Sequence, residues 1–259
     1  MRLTFLGTGT SFGVPQVGCG CAVCRSTDSR DKRTRVGALV ESAGFRLLID
    51  TPPELRLQLI AAQVDRVDAV LFTHDHADHT HGIDDVRAIT VRGAALPMYG
   101  PAETLAALQH RFPYIFDADL KVIPGTSKPE GSARALEVDV PVRIGPLSVT
   151  PVEVPHGRTR VFGYRIGPLA YVTDAKALPE AALARLRGAD VLVLNALFRR
   201  AHPTHLSVSE AVETARLVGA RRTFLTHLTH ETAHAELEAE LPPDIRPAYD
   251  GLTVEIPES

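Results

Sequence analysis

The chain has 259 residues, 44% of them hydrophobic and 23% charged, with a formal net charge of −3; this is the balance of a globular protein able to bury a sizeable core. Its 28 basic residues are mostly arginines scattered along the chain, which gives no basic tail or stripe for electrostatic binding of nucleic acid. No run approaches the roughly 20 apolar residues that span a bilayer, and the start MRLTFLGTGT lacks the apolar core of a secretory signal.

The first predicted element is a strand, RLTFLG (2–7). The glycine-rich GTGTSFG that follows would have to open into a helix to be a nucleotide-phosphate loop. It runs instead into Val14, Pro15 and a run of cysteines, so a tight turn bordering a cleft is expected. Cys19, Cys21 and Cys24 are the only cysteines of the chain. An odd number with such short intervals does not make a disulfide framework and points to a reduced, cytoplasmic chain. Their spacing suits a structural zinc site, which needs one more Cys or His; three reduced buried thiols are the plainer alternative.

Further strands are predicted at GALVES (37–42), FRLLID (45–50), DAVLFT (68–73), PLSVTPVEV (146–154), LAYVTD (169–174), DVLVLN (190–195) and RTFLTH (222–227). Each is an apolar, β-branched run bounded by turn residues. Helices are predicted at 53–63, 101–111, 178–188 and 207–219; in the last, Ser207 can cap with Glu210 three residues on, and Gly219 can end it. Strands and helices alternate throughout, which indicates an α/β architecture. The Pro-, Gly- and Ser-rich segment 113–150 is expected to be a surface loop and strand insertion, so residues 1–259 form a single domain. The chemistry draws on both sides of it.

That chemistry is concentrated at THDHADHTHG (73–82), directly after a predicted strand. His74, His76, Asp78 and His79 are ligand types that divalent metals select. His74 and His76, two apart in extended chain, can point at one metal, while Asp78 and His79 can serve a second. His156, Asp174 and His227 each sit just past an apolar run, where α/β sheets place functional groups. Asp50 ends another such run; it is as well suited to orient the histidines as to bind. His81 and His110 are expected at the surface, and His202 and His234 have no assigned role. Arg158, Arg160, Arg199 and Arg200 flank the predicted loops and are candidates for a second phosphate.

Together, THDHADHTHG, Asp50, His156, Asp174 and His227 resemble the five motifs of the metallo-β-lactamase superfamily, whose fold is a four-layer αβ/βα sandwich. Over roughly residues 2–256 the resemblance implies that His74, His76 and His156 hold one divalent ion, Asp78, His79 and His227 a second, and that Asp174 bridges them. The cysteine that true lactamases use as a ligand is replaced by Asp174. The stretches FLGTGTSFGVPQVGCGCAVC, PHGRTRVFGYRI, YVTDAKALPE, HPTHLSVSEA, LTHLTH and AYDGL narrow the match. They are similar to the PhnP-type phosphodiesterases, which open a cyclic phosphate on phosphoribose.

The resemblance implies zinc or manganese in the two active-site positions and a small phosphodiester substrate attacked by a hydroxide held between ions ~3.5–4 Å apart. His205 matches the family histidine that faces the scissile phosphate and is counted with Asp78 as catalytic. His230 matches the histidine that completes a structural zinc with the three cysteines, and a homodimer is implied. A tRNA 3′-processing nuclease shares the core, but only 17 residues lie between His156 and Asp174, too few for the protruding arm such nucleases carry. A non-hydrolytic relative of the pyrroloquinoline-quinone biosynthesis type would have a degraded metal motif, whereas this one is intact.

Overall fold

The computed structural model describes residues 1–91 and 93–257. Six strands open the chain: β1 (Arg2–Gly7), β2 (Gly37–Ser42), β3 (Phe45–Ile49), β4 (Ala69–Leu71), β5 (Leu96–Gly100) and β6 (Gly131–Ala135). Seven more follow: β7 (Val142–Ile144), β8 (Leu147–His156), β9 (Thr159–Ile166), β10 (Leu169–Val172), β11 (Val191–Asn195), β12 (Arg222–Thr226) and β13 (Ile245–Pro247). The last, β14 (Thr253–Glu255), returns to pair with β1. The sheets have the orders β14-β1-β2-β3-β4-β5-β6 and β13-β12-β11-β10-β9-β8-β7. Within them β3 to β6 run parallel, as do β10 to β13.

The helices are α1 (Ala22–Arg25), α2 (Leu55–Ala61), α3 (Ala77–Thr80), α4 (Arg87–Thr90), α5 (Ala102–Arg111), α6 (Pro113–Phe116), α7 (Glu180–Leu186), α8 (Val208–Val218) and α9 (His234–Glu240). None is long and apolar enough to cross a membrane, among the described residues.

Side-chain alternation along the strands explains the layering. Leu47 and Ile49 point into a shared core with Val149, Phe162, Tyr164, Val191 and Val193 of the other sheet. Leu48 points out, toward Leu55 and Leu59 of α2 and Leu105 and Leu108 of α5. Leu192 and Leu194 likewise point out, toward Leu183 and Leu186 of α7 and Ala211, Ala215 and Val218 of α8. Strands covered on both faces must be apolar throughout, which is why they read as continuous runs. The result is the α/β/β/α sandwich of the metallo-β-lactamase fold.

All eight strand runs expected from sequence are present, trimmed or extended by up to two residues. The four expected helices are also there. Ser207 accepts from the Glu210 amide, Glu210 returns a carboxylate to the Ser207 amide, and Gly219 sits at φ 69°. The segment 113–150 supplies α6 and the two edge strands β6 and β7, in line with a loop and strand insertion. Sequence inspection passed over β5, β6, β7, β9, β13 and β14. In β9 the apolar pattern is interrupted by Gly163, where an added Cβ would lie 2.9 Å from a methyl of Val172. The glycine marks close packing rather than a strand end.

The two sheets meet at the end from which the parallel strands emerge. There the Phe162 amide of β9 donates to the Thr73 carbonyl at 3.0 Å, and the Tyr164 hydroxyl donates to the Phe72 carbonyl. The chain leaving β4 is therefore tied across the sandwich before it reaches the first histidine. Because the Ser207 cap closes the segment that carries His205 onto α8, Ser207→Ala should lower the unfolding free energy by about 1 kcal/mol in urea denaturation.

Candidate metal centre

Three polar residues that end strands have left-handed backbones: Asp50 after β3 (φ 62°), Asp174 after β10 (φ 52°) and His227 after β12 (φ 57°). Asp and His enter this region more readily than bulkier residues, but strain of this kind persists only where neighbours hold it. Each turn is held. The Asp50 amide donates to the Leu71 carbonyl at 3.0 Å and the Leu228 amide to the Thr8 carbonyl at 2.8 Å. The Ala175 amide donates to the Asn195 side chain at 2.9 Å. The turns swing all three side chains toward the seam between the sheets.

Asp50 is fully buried and accepts from the Thr73 amide and hydroxyl, both at 2.8 Å. Its Oδ2 is also 2.8 Å from His79 Nδ1. The carboxylate thus pins the loop and leaves His79 Nε2 facing the seam. His74 is treated alike, with Nδ1 3.0 Å from the Thr73 hydroxyl. His156 Nδ1 lies 2.9 Å from the Thr204 carbonyl. One nitrogen of each ring is committed, so the other is aimed.

The aimed atoms converge. His74, His76 and His156 bring ligand atoms within 4.8 Å of one another; so do Asp78, His79 and His227, and Asp174 joins His74 with His79 and His205 with His227. Asp174 Oδ2 is 2.6 Å from His79 Nε2 and 3.4 Å from His74 Nε2. Its Oδ1 is 3.1 Å from His227 Nε2 and accepts from His205 Nε2 at 3.0 Å. Asp78 Oδ2 stands 3.7 Å from His79 and 3.8 Å from His227.

The Nε2 atoms of His74, His79 and His227 are buried and make no hydrogen bond of acceptable angle, short though some of these distances are. Buried polar atoms are nearly always paired. Side chains that approach one another without aligning are directed at a common point between them, and imidazole nitrogens with carboxylate oxygens are a donor set for divalent ions. The residues present fit metal.

The field at the site is consistent with this. Burial depresses His74 well below the usual imidazole range, keeping it a neutral ligand. Burial disfavours charge on Asp174, but His227 and His79 outweigh it and hold the carboxyl well below its ordinary value. Burial also opposes a proton on His79, yet Asp174, Asp78 and Asp50 push it far up. Carboxylates that favour a proton there equally favour a metal cation.

A second cluster lies beside the first. Cys19, Cys21, Cys24 and His230 place their ligand atoms within 4.8 Å of one another. His230 Nδ1 is 3.4 Å from Cys19 Sγ and 3.3 Å from Cys21 Sγ. The Cys24 and Gln16 amides donate to Cys21 and Cys24 sulfur. The Cys24 amide, with His230 beside it, pulls the Cys21 thiol down to about 6, while burial raises Cys24. A three-Cys, one-His set suits a closed tetrahedral zinc.

His81 and His110 are exposed, and His234 is buried against Tyr249 with its amide donating to Asp31. Of the four candidate arginines, Arg160 pairs with Glu153 and Glu103, Arg199 with Glu236 and Glu240, and Arg200 with Glu231. Arg158 is exposed at the β8–β9 tip and forms none of the ion pairs or hydrogen bonds found among the described residues. Sequence inspection missed Thr73, Asn195 and Thr204 as supports. For Asn195 the only signal was a lone amide closing an apolar strand.

The sequence matches the beta-lactamase superfamily domain over residues 45–228. A solved structure of a diphosphatase from the PhnP family is similar with a TM-score of 0.91 and 38% identity, covering 99% of this chain and 98% of that one. A ribonuclease Z of Methanopyrus kandleri is 30% identical over 86% of this chain and 92% of its own length. An octanoyltransferase of Porphyromonas gingivalis is 40% identical over the whole of this chain, which spans only 52% of that protein. Nearly half of it thus lies outside the match.

Two outcomes test the supports. Asp50→Asn, which tolerates the left-handed backbone but removes the charge behind His79, should weaken metal retention by about 10–100-fold in chelator competition. His230→Ala should lose one zinc per chain by metal analysis; a full zinc complement would remove His230 from the cysteine site.

Proposed function

Because the chain belongs to the beta-lactamase superfamily, we propose that it is a binuclear metal-dependent phosphodiesterase acting on a small, cyclic or diester phosphate. The observation that carries this reading is the convergence of three buried, unbonded imidazole nitrogens on Asp174, a donor set that suits divalent ions. His74, His76 and His156 would hold one ion, Asp78, His79 and His227 the other, with Asp174 between them. A site of carboxylate and imidazole with no thiolate is the kind that phosphoryl chemistry uses. Bound there, two divalent ions would supply an acidified water and positive charge for the phosphoryl oxygens.

The chain's own groups account for the remaining roles. His205 is held down to about 4 by burial, partly offset by its bond to Asp174, and stacks on His227 with ring centroids 4.8 Å apart. Its Nε2–H points at the centre, placed to donate to a phosphoryl or departing oxygen as charge develops there. Asp78, whose side chain is 14% exposed, faces the same space from the solvent side and can orient an attacking water. Arg158 offers a free guanidinium at the rim for a second anionic group.

A nuclease reading is less well supported. Between His156 and Asp174 the chain is taken up by β9, β10 and their tight turns, so nothing there projects to grip a tRNA. The diphosphatase name of the 38% identical relative favours including phosphoanhydrides among the substrates tried.

Purified protein is expected to carry two divalent ions beyond the structural zinc and to hydrolyse bis(p-nitrophenyl) phosphate. Asp174→Ala should cut turnover by at least ~100-fold, the scale of removing a group that stabilises the transition state, with little change in circular dichroism. One zinc per chain in all, or full activity in Asp174→Ala, overturns the binuclear reading. Phosphoribosyl cyclic phosphate, cyclic nucleotides, diphosphate esters and pre-tRNA compared side by side then identify the substrate class.

A further inference from the structure

The loop after β1 runs Thr8-Gly9-Thr10 and lies between two other segments of the chain. Gly9 bridges to Arg35 on one side and to Leu228 on the other. Its amide donates to the Thr34 carbonyl at 2.7 Å, and the Leu228 amide donates to the Thr8 carbonyl at 2.8 Å. No side chain fits at this crossing. A Cβ added at Gly9 would lie 2.7 Å from the Arg33 carbonyl oxygen, so close approach of the backbone requires the glycine.

Leu228 directly follows His227, whose left-handed backbone at φ 57° brings its Nε2 to 3.1 Å from Asp174. The bond from Leu228 to Thr8 therefore holds the exit of that turn. Thr8 is held in its place by Asp250, in the AYDGL stretch that follows β13. Asp250 Oδ1 accepts from the Thr8 hydroxyl at 2.7 Å, and Oδ2 accepts from the Thr34 amide at 2.7 Å and the Thr34 hydroxyl at 2.6 Å. An ionised carboxylate only accepts, so all three bonds run one way. Bonds to a charged acceptor are also shorter and stronger than neutral ones. The Gly251 amide donates to the Phe5 carbonyl at 2.8 Å, which fixes the same stretch against β1. Asp250 belongs to neither metal cluster.

We propose that Asp250 is a positioning residue for His227: by gathering Thr8 and Thr34 it fixes the loop that receives the Leu228 amide, and so the turn that aims His227 Nε2 at Asp174. Its effect on metal rests on the binuclear reading, but its hold on the turn does not.

Thr8→Val tests the link, because it keeps the shape and carbonyl of Thr8 and removes only the hydroxyl; Thr8→Ser restores it. In metal-loaded protein, amide hydrogen exchange at Leu228 and Gly9 should quicken about tenfold in Thr8→Val and in Asp250→Ala, the scale of losing one bond to a charged group. Exchange at Val172 and Val193 should not change, and Thr8→Ser should match the wild type. Unchanged exchange at Leu228, or an equal rise at Val172 and Val193, overturns the proposal. Should Asp250→Ala fail to fold, Thr8→Val still decides. In chelator competition, Thr8→Val should lose about tenfold more readily the same active-site ion that His227→Ala loses, while the other ion and the cysteine-bound zinc stay. Loosening of all three ions together would mark a merely structural role and refute the assignment. Wild-type protein with no ion beyond the cysteine-bound zinc would instead count against the binuclear reading and leave hydrogen exchange to decide the hold on the turn.

Discussion

A fully buried carboxylate sets the terms for this molecule. Asp174 lies at the seam between two sheets, where burying an unpaired charge would cost several kcal/mol, and imidazoles from both halves of the sandwich surround it: His74 and His79 from the first, His205 and His227 from the second. The carboxylate and the imidazoles face one another at the seam, and a cation is the natural neutraliser of the negative charge gathered there.

Holding that arrangement requires the strand ends to be rigid, and the surrounding bonds supply this. Asn195 at the end of β11 holds the turn of Asp174, Thr73 links Asp50 to His74, and the Thr204 carbonyl orients His156. The left-handed backbone at Asp50, Asp174 and His227 is tolerated because each turn is bonded to a neighbouring strand or loop. A parallel sheet lends itself to this use. Its strands all leave at one edge, so residues far apart in sequence arrive side by side.

The cysteine cluster extends the same logic to the N-terminal loop. Arg33 is fully buried and donates to the Thr229 and Thr232 carbonyls, while Asp31 accepts from the His234 amide. These bonds lock the loop to the segment between His227 and His234. His227 faces the carboxylate–imidazole cluster and His230 the three sulfurs, three residues apart on one stretch. A closed zinc site there would brace the strand end that presents His227, with the cysteines acting as scaffold.

Much of this was legible without coordinates. Apolar runs marked the strands because both faces of each sheet are covered. THDHADHTHG and the polar residues ending those runs marked the centre because strand ends are where such sheets expose functional groups. Ser207, Glu210 and Gly219 marked the ends of α8 because capping is local chemistry. What the sequence determined by itself was therefore everything encoded in short spacing: element type, ligand identity and the shortage of a fourth partner for three thiols. Only the tertiary structure decided the rest: that Asn195 supports Asp174, that Arg33 is a clamp, that Arg158 alone of four arginines is unpaired among the described residues, and that Asp250 accepts from Thr8 and Thr34. Those depend on which nitrogen or oxygen of a lone polar side chain meets a partner brought in by the fold, and hydrogen-bond direction leaves no periodic trace in a chain.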